Sequence, residues 1–400
     1  MFNKINRLAI KLYSGCNMNC DYCFQSFNEK YSPKEFKEYD LLYEFLKSLP
    51  LGDHIIVTFC GGEMTLRPDL IEKCEKKVFK KLEREFDVTF TYSMISNGTN
   101  PNVMLEMFDK KLLDPENCHI SWDGLYSISK SRKCPQFSDE SMKRNIKHIG
   151  ESIYGNKVSI VHALTPTTIN HLAESFQYCL DNNLTSFGYY PIHEAFYDDD
   201  FHIVFREQLE KLYQMVLECY RKHIDINFFN LELVKLENQP ERFFTCKKLG
   251  ENLYINALGE VYPCIYFGDN HLYRFGSIKD GLDETVMKAF MNDYLHYPKC
   301  DYKNCKCTMC GECPAACAVH NGNMNIKFQN LCKIRQIEKE VYDKHKDELS
   351  HYIAFTERYT TEDLQKDGFN HKFTECDLDI IEHEIKQPHF EYLRNWHLNS

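Results

Sequence analysis

From residue 7 to about residue 222, short β-branched or aromatic runs alternate with longer stretches whose apolar positions recur at helical spacing. This is the habit of parallel strands joined by crossover helices. The pattern predicts strands at Arg7–Tyr13, His54–Cys60, Phe90–Ser96, His119–Asp123, Lys157–Leu164 and Thr185–Ile192. It predicts helices over Pro68–Glu85, with Pro68 in the first turn, and over Thr168–Asn182, with Asn182 and Asn183 as a stop. Six such units make a partial α/β barrel, a (β/α)6 relative of the TIM barrel, over residues 1–222. The alternation then ends. A bridging segment (223–245) leads to a cysteine-rich region (246–335), and an acidic, aromatic, mostly helical extension (336–400) follows.

In barrels of this type chemistry sits at the C-terminal ends of the strands, and the unusual local sequences fall there. A cysteine loop follows the first strand, Gly61-Gly62-Glu63 the second, Ser96-Asn97-Gly98 ends the third, and Ser121-Trp122-Asp123-Gly124 the fourth. A Gly-Gly pair alone usually marks only a turn. Four motifs in register on one barrel face point to a site.

The chain is long enough, at 400 residues and 43% apolar content, to bury a large core. A net charge of -11 argues against nucleic acid as the main partner. No apolar run approaches the roughly 20 residues that span a bilayer, and no secretion signal precedes the first strand, so a cytoplasmic protein is expected. Nineteen cysteines suggest a disulfide scaffold at first sight, but six fall between Cys300 and Cys317. That density reads as metal ligation.

Cys16, Cys20 and Cys23 have the spacing C-x3-C-x2-C. A four-iron cluster normally takes four cysteines, so a loop offering three leaves one iron for something other than protein. With Tyr22 just before the third cysteine and the barrel motifs around it, the sequence resembles the radical S-adenosylmethionine (SAM) superfamily. The resemblance implies that SAM chelates the open iron and is cleaved to a 5′-deoxyadenosyl radical. It assigns SAM contacts to Gly61, Gly62 and Glu63, to Ser96 and Asn97 at the third strand's end, and to Ser121 and Asp123. The backbone of Tyr22 and the side chain of Ile192 are expected near the adenine, and Arg132 is suited to the SAM carboxylate. Taken singly, Glu63 reads equally as a cap for the helix near Pro68, Asp123-Gly124 as a turn, and Arg132 as a solvated surface charge.

Cys246, Gly259 and Cys264 match the first half of the SPASM extension found on many radical SAM enzymes, and Cys307, Cys313 and Cys317 match the core of its second half. Asn304 stands where that pattern has cysteine. The resemblance implies two auxiliary four-iron clusters, hence three [4Fe-4S] clusters in all. Cys246, Cys264 and Cys317 with Cys300 or Cys305 would hold the first, and Cys307, Cys310, Cys313 and Cys332 the second. The alternative is structural zinc, whose C-x2-C spacing recurs here, but one zinc leaves several cysteines unused. The other seven cysteines read as buried small hydrophobes, with Cys60 the one nearest the site.

Two reactions share this architecture: oxidation of a sulfatase Cys or Ser to formylglycine, and modification of a ribosomally made precursor peptide. In the sulfatase maturases the second SPASM cysteine is followed by an Asp that serves as base; here Cys264 is followed by Ile265. A substitute base would have to be Asp269 or His193. The expectation is therefore a peptide maturase that oxidatively modifies, with crosslinking as the leading outcome, a residue of its substrate. Tyr189, Tyr190, His193 and Glu194 are placed to meet that peptide, although aromatic residues there more often pack. The resemblance implies a flavodoxin or ferredoxin as reductant. Because the first strand begins at residue 7, leader recognition is expected from a separate leader-binding protein, the SPASM face or the tail. In that tail Phe390, Leu393 and Trp396 have the spacing of a docked helix. An iron–sulfur electron carrier without SAM chemistry is the remaining alternative.

Overall fold

The computed structural model describes residues 4–23, 33–193, 195–222, 224–231, 251–268, 270–295, 313–321 and 331–358. All six predicted strands are present, shifted by a few residues at most: β1 (Ile5–Tyr13), β2 (Leu51–Gly61), β3 (Thr89–Ser96), β4 (His119–Ser121), β5 (Ser159–Leu164) and β6 (Ser186–Pro191). Each is parallel to the next. β3 changes partner midway, pairing with β2 over Thr89–Met94 and with β4 over Ile95 and Ser96. That divergence curves the sheet and sets the third strand's end beside both the second and the fourth.

The sheet also extends past the six strands. The order among the described residues is β11-β10-β9-β8-β1-β2-β3-β4-β5-β6-β7, with β7 (Asn227–Phe228) beyond β6 and β8 (Asn252–Ile255) parallel to β1. β9 (Glu260–Tyr262), β10 (Gly276–Ser277) and β11 (Gly281–Leu282) follow as an antiparallel meander. Residues 252–255 of the cysteine-rich region thereby pair with the first barrel strand.

Outward-facing Leu8, Ile10, Leu12, Val57, Phe59, Met94 and Ile160 are buried under the crossover helices. The predicted helix over Pro68–Glu85 is interrupted. An α-helix (Pro68–Cys74) widens into a π-helical turn at Glu75–Phe79 before α-helix resumes at Lys80–Glu85. The extra residue per turn brings the consecutive Val78 and Phe79 both into the core, where Phe79 meets Phe90 at 4.8 Å and Tyr92 at 5.5 Å between ring centroids.

A 23-residue helix (Asp199–Arg221), with Asp198 as its N-cap, follows β6 and carries a 27-residue helix that begins at Cys332 (Cys332–Arg358). Across the seam Glu210 accepts from Lys344 and His345, and Arg206 and Arg221 pair with Glu340 and Glu348. At its start the later helix reaches β6: the Tyr189 hydroxyl donates to Glu338 at 2.9 Å, and Arg335 donates to the same carboxylate at 2.6 Å, all three buried. No described helix is long and apolar enough to cross a membrane.

Candidate active site and cluster loop

The cysteine loop is held from two sides. Along one edge Asn19 N–H donates to Lys133 C=O and Asp21 N–H to Ser131 C=O, both at 2.9 Å, and the Cys134 thiol donates to Asn17 C=O. Along the other edge β2 ends against it: Gly62 N–H donates to Tyr13 C=O and Glu63 N–H to Gly15 C=O at 2.8 Å. This approach admits only glycine. A Cβ on Gly62 would stand 2.0 Å from Gly15 O, and Gly61, at φ +143, would place one 2.1 Å from Tyr13 O.

Glu63 is fully buried, and both carboxylate oxygens are taken by protein. Oε1 accepts from Ser96 Oγ at 2.9 Å and from the backbone and hydroxyl of Thr65; Oε2 accepts from Asn97 N–H at 2.6 Å. Burial raises its pKa, and these donors oppose that rise. The capping reading is partly right, because Glu63 caps the short 3-10 helix Met64–Leu66 rather than the helix at Pro68. Its larger effect is to fix Ser96 and Asn97 beside the cluster loop.

Asp123 is the second hub. Its Oδ2 accepts from the hydroxyls of Tyr22 and Ser131, both at 2.6 Å, and Oδ1 accepts from Ala163 N–H at 3.1 Å. Arg132 Nε lies 3.0 Å from Oδ1, an ion pair set off the line of a hydrogen bond, with both side chains nearly inaccessible. The guanidinium also lies over the Tyr22 ring, 5.7 Å from its centroid. Burial is the largest influence on Arg132 and works against its charge, but Asp123, Tyr22 and Cys20 together raise its pKa and hold the guanidinium cationic. The solvated-surface reading of Arg132 is thereby excluded. Among the described residues its guanidinium is held by the Asp123 pair and the Tyr22 ring. Beneath this hub His162 is buried, its pKa lowered by desolvation to about 4, so the ring is neutral. Sequence reading missed it, since one histidine in a buried strand carries no motif.

Cys16, Cys20 and Cys23 are all partly exposed. Burial pushes the Cys20 thiol up to about 12, Arg132 lowers it, and Cys16 and Cys23 are near enough for their charges to act on it. No three His, Cys, Asp or Glu side chains among the described residues converge closely enough for a single metal ion. Ser121, half-buried at the end of β4, and Ile192, 9% exposed after β6, flank the same mouth. The expected SAM-contact residues are therefore gathered at one end of the barrel, although Glu63 and Asp123 spend their carboxylates on protein donors.

Tyr189 is excluded from the mouth by the register of β6. It is 2% exposed and packs outward on Phe205, so the packing reading is correct for it. Tyr190 is 41% exposed, and its hydroxyl lies 2.6 Å from His193 Nε2, while the His193 ring meets Tyr266 edge-to-face at 5.7 Å. Cys264 precedes the 3-10 helix Ile265–Phe267, against which the helix Pro314–Asn321 bearing Cys317 packs. Cys313 and Cys317 follow one another by one helical turn, and Cys332 opens the long C-terminal helix. Glu194, Cys246, Asp269, Cys300, Cys305, Cys307, Cys310 and the tail residues Phe390, Leu393 and Trp396 lie outside the described residues.

Comparisons with known proteins agree with this arrangement. Residues 10–179 match the model of the radical SAM superfamily, and residues 246–314 that of the SPASM iron-sulfur cluster-binding domain. Among curated relatives, the radical SAM cyclopropyl synthase TigE of Paramaledivibacter caminithermalis is 21% identical, aligned over 82% of this chain and 70% of its own. The putative peptide biosynthesis protein YydG of Bacillus subtilis is 25% identical over 40% of this chain and 54% of its own. The solved structure of anSMEcpe with bound AdoMet superposes with a TM-score of 0.67 over 88% of this chain and 99% of that one, at 19% identity. SuiB of Streptococcus suis bound to precursor peptide SuiA gives 0.53 over 83% and 76%, at 14% identity. The chain thus carries a radical SAM domain followed by a SPASM domain, the make-up of a radical SAM enzyme.

Proposed function

We propose that the chain is a peptide maturase that uses three [4Fe-4S] clusters and SAM to modify a residue of a ribosomally made precursor peptide oxidatively. The observation that supports this reading is the three-cysteine loop tied through Tyr22 and Asp123 to Arg132 at the strand ends, with Tyr190 and His193 after β6 reaching Tyr266 two residues past Cys264. When bound, the SAM-binding cluster and SAM supply an electron and a deoxyadenosyl radical, and the auxiliary clusters accept the electron left on the substrate. Cys16, Cys20 and Cys23 would hold the first cluster, Cys246, Cys264 and Cys317 with Cys300 or Cys305 the second, and Cys307, Cys310, Cys313 and Cys332 the third.

The protein's own part is positional. Arg132, fixed by Asp123, is the buried cation that would pair with the carboxylate of bound SAM. Ser121 adds a hydroxyl, and Ile192 an apolar wall that limits water. His193, held by Tyr190, is the described candidate for taking up a substrate proton, because Ile265 cannot. YydG, named as a putative peptide biosynthesis protein, and SuiB, solved with a precursor peptide, support a peptide substrate, as does anSMEcpe, solved with Cp18Cys and Kp18Cys peptides. A cytoplasmic site with a flavodoxin- or ferredoxin-class reductant, and a separate leader-binding partner, complete the proposal.

The test is anaerobic incubation with SAM, reductant and candidate precursor peptides, followed by mass spectrometry. A peptide lighter by about two hydrogens is expected. Formylglycine in a sulfatase-derived peptide would overturn the preference, and a fully loaded protein that never cleaves SAM would establish the electron carrier instead.

A further inference from the structure

Asn97 closes a hydrogen-bonded ring beside the cluster loop. Its Nδ2 donates to Asn17 Oδ1 at 2.9 Å, Asn17 Nδ2 donates to Thr99 Oγ1 at 2.9 Å, and that hydroxyl donates back to Asn97 Oδ1 at 2.7 Å. The backbone N–H of Thr99 also donates to Asn97 Oδ1, at 3.0 Å. A backbone N–H can only donate, so the orientation of the Asn97 amide is fixed by the structure. The nitrogen therefore faces the loop, and it lies 3.7 Å from Cys16 Sγ. Met18 N–H approaches the same sulfur at 3.4 Å. Asn97 is itself 7% exposed, and its own backbone N–H is held by Glu63.

We infer that Asn97 is a positioning residue that donates an N–H···S hydrogen bond to the Cys16 ligand and thereby raises the reduction potential of the SAM-binding cluster. The physical basis is general: a donor to a ligating thiolate draws off negative charge, which favours the reduced, more negative cluster. The ring gives the donor a fixed direction, and the Glu63 carboxylate anchors the residue that carries it. Glu63 then acts on the cluster through Asn97. The inference rests on the radical SAM reading but not on the identity of the substrate.

The experiment is a redox titration of the reconstituted protein, following the electron paramagnetic resonance signal that changes on adding SAM, in wild type, Asn97→Asp and Asn97→Ala. Asn97→Asp keeps the size and the acceptor for Thr99 but loses the donor. Both variants are expected to show on the order of a tenfold fall in the reduced-to-oxidised ratio at fixed poise, which is about 59 mV for a one-electron couple. Unchanged potentials in variants with full iron content overturn the inference. Should the variants fail to load, wild-type protein labelled with 15N at its asparagine side-chain amides decides the matter. A 15N hyperfine coupling on the SAM-responsive signal supports the bond, and its absence refutes it. Absence of any SAM-responsive signal in wild type would instead refute the radical SAM reading.

Discussion

Asp123 collects two hydroxyls, one backbone N–H and one guanidinium, and in doing so joins the cluster loop, the ends of β4 and β5, and Arg132. Replacing Arg132 by Gln removes the cation offered to a carboxylate ligand. A charge-assisted hydrogen bond contributes about 1.5–3 kcal/mol, so SAM affinity measured by calorimetry is expected to fall by about tenfold or more; an unchanged affinity would remove Arg132 from the site. His162 makes a pH prediction. Its folded pKa, about 4, lies below the ordinary value near 6.5, so the unfolded chain binds the extra proton between those values. Stability is complete above about pH 6.5 and falls as pH drops toward 4, at up to about 1.4 kcal/mol per unit. Melting temperatures of wild type and His162→Gln at pH 7.5 and 5.5 should show the variant losing less. The cysteine triplet and Gly-Gly-Glu were legible because their residue types are rare and their spacing is local. The partners of Glu63 and Asp123 were not, because Ser96, Asn97, Tyr22 and Ala163 come from distant strands.

The end of β2 and the cysteine loop form one element in practice, since two backbone hydrogen bonds cross between Tyr13–Gly15 and Gly62–Glu63. Gly62→Ala would drive a methyl into Gly15 O. A loss on the order of 3 kcal/mol is expected, together with iron loading that fails at the SAM-binding cluster while the auxiliary signals persist. Normal loading in that variant would show that the approach relaxes cheaply. The long C-terminal helix is tied to β6 by a buried pair. Arg335→Met leaves Glu338 buried with, among the described residues, only the Tyr189 hydroxyl, and breaking such a pair costs about 3–5 kcal/mol. Thermal denaturation should register this, and a midpoint within a degree or two of wild type would contradict it. The strands were readable from period and turn residues. The π-turn at Glu75–Phe79 was not, because a one-residue widening leaves the apolar spacing nearly unchanged and is decided by the fit of Phe79 against Phe90 and Tyr92.

At the scale of the whole molecule, the barrel and the described residues 252–282 share one sheet through β1 and β8. Three clusters predict about twelve iron atoms per chain by cluster stoichiometry. A reconstituted protein with about four would reduce the assignment to the SAM-binding cluster alone. The amino-acid order by itself determined the six-unit alternation, the three-cysteine loop and the dense second cysteine group, because periodicity and ligand spacing are local properties written within one element. The tertiary structure alone decided that Glu63 and Asp123 serve the protein before any ligand, that Tyr190 faces the mouth while Tyr189 faces the core, and that Asn97 points its nitrogen at Cys16. Those outcomes depend on strand register and on hydrogen-bond partners far apart in the chain, and only the folded sheet brings them within bonding distance.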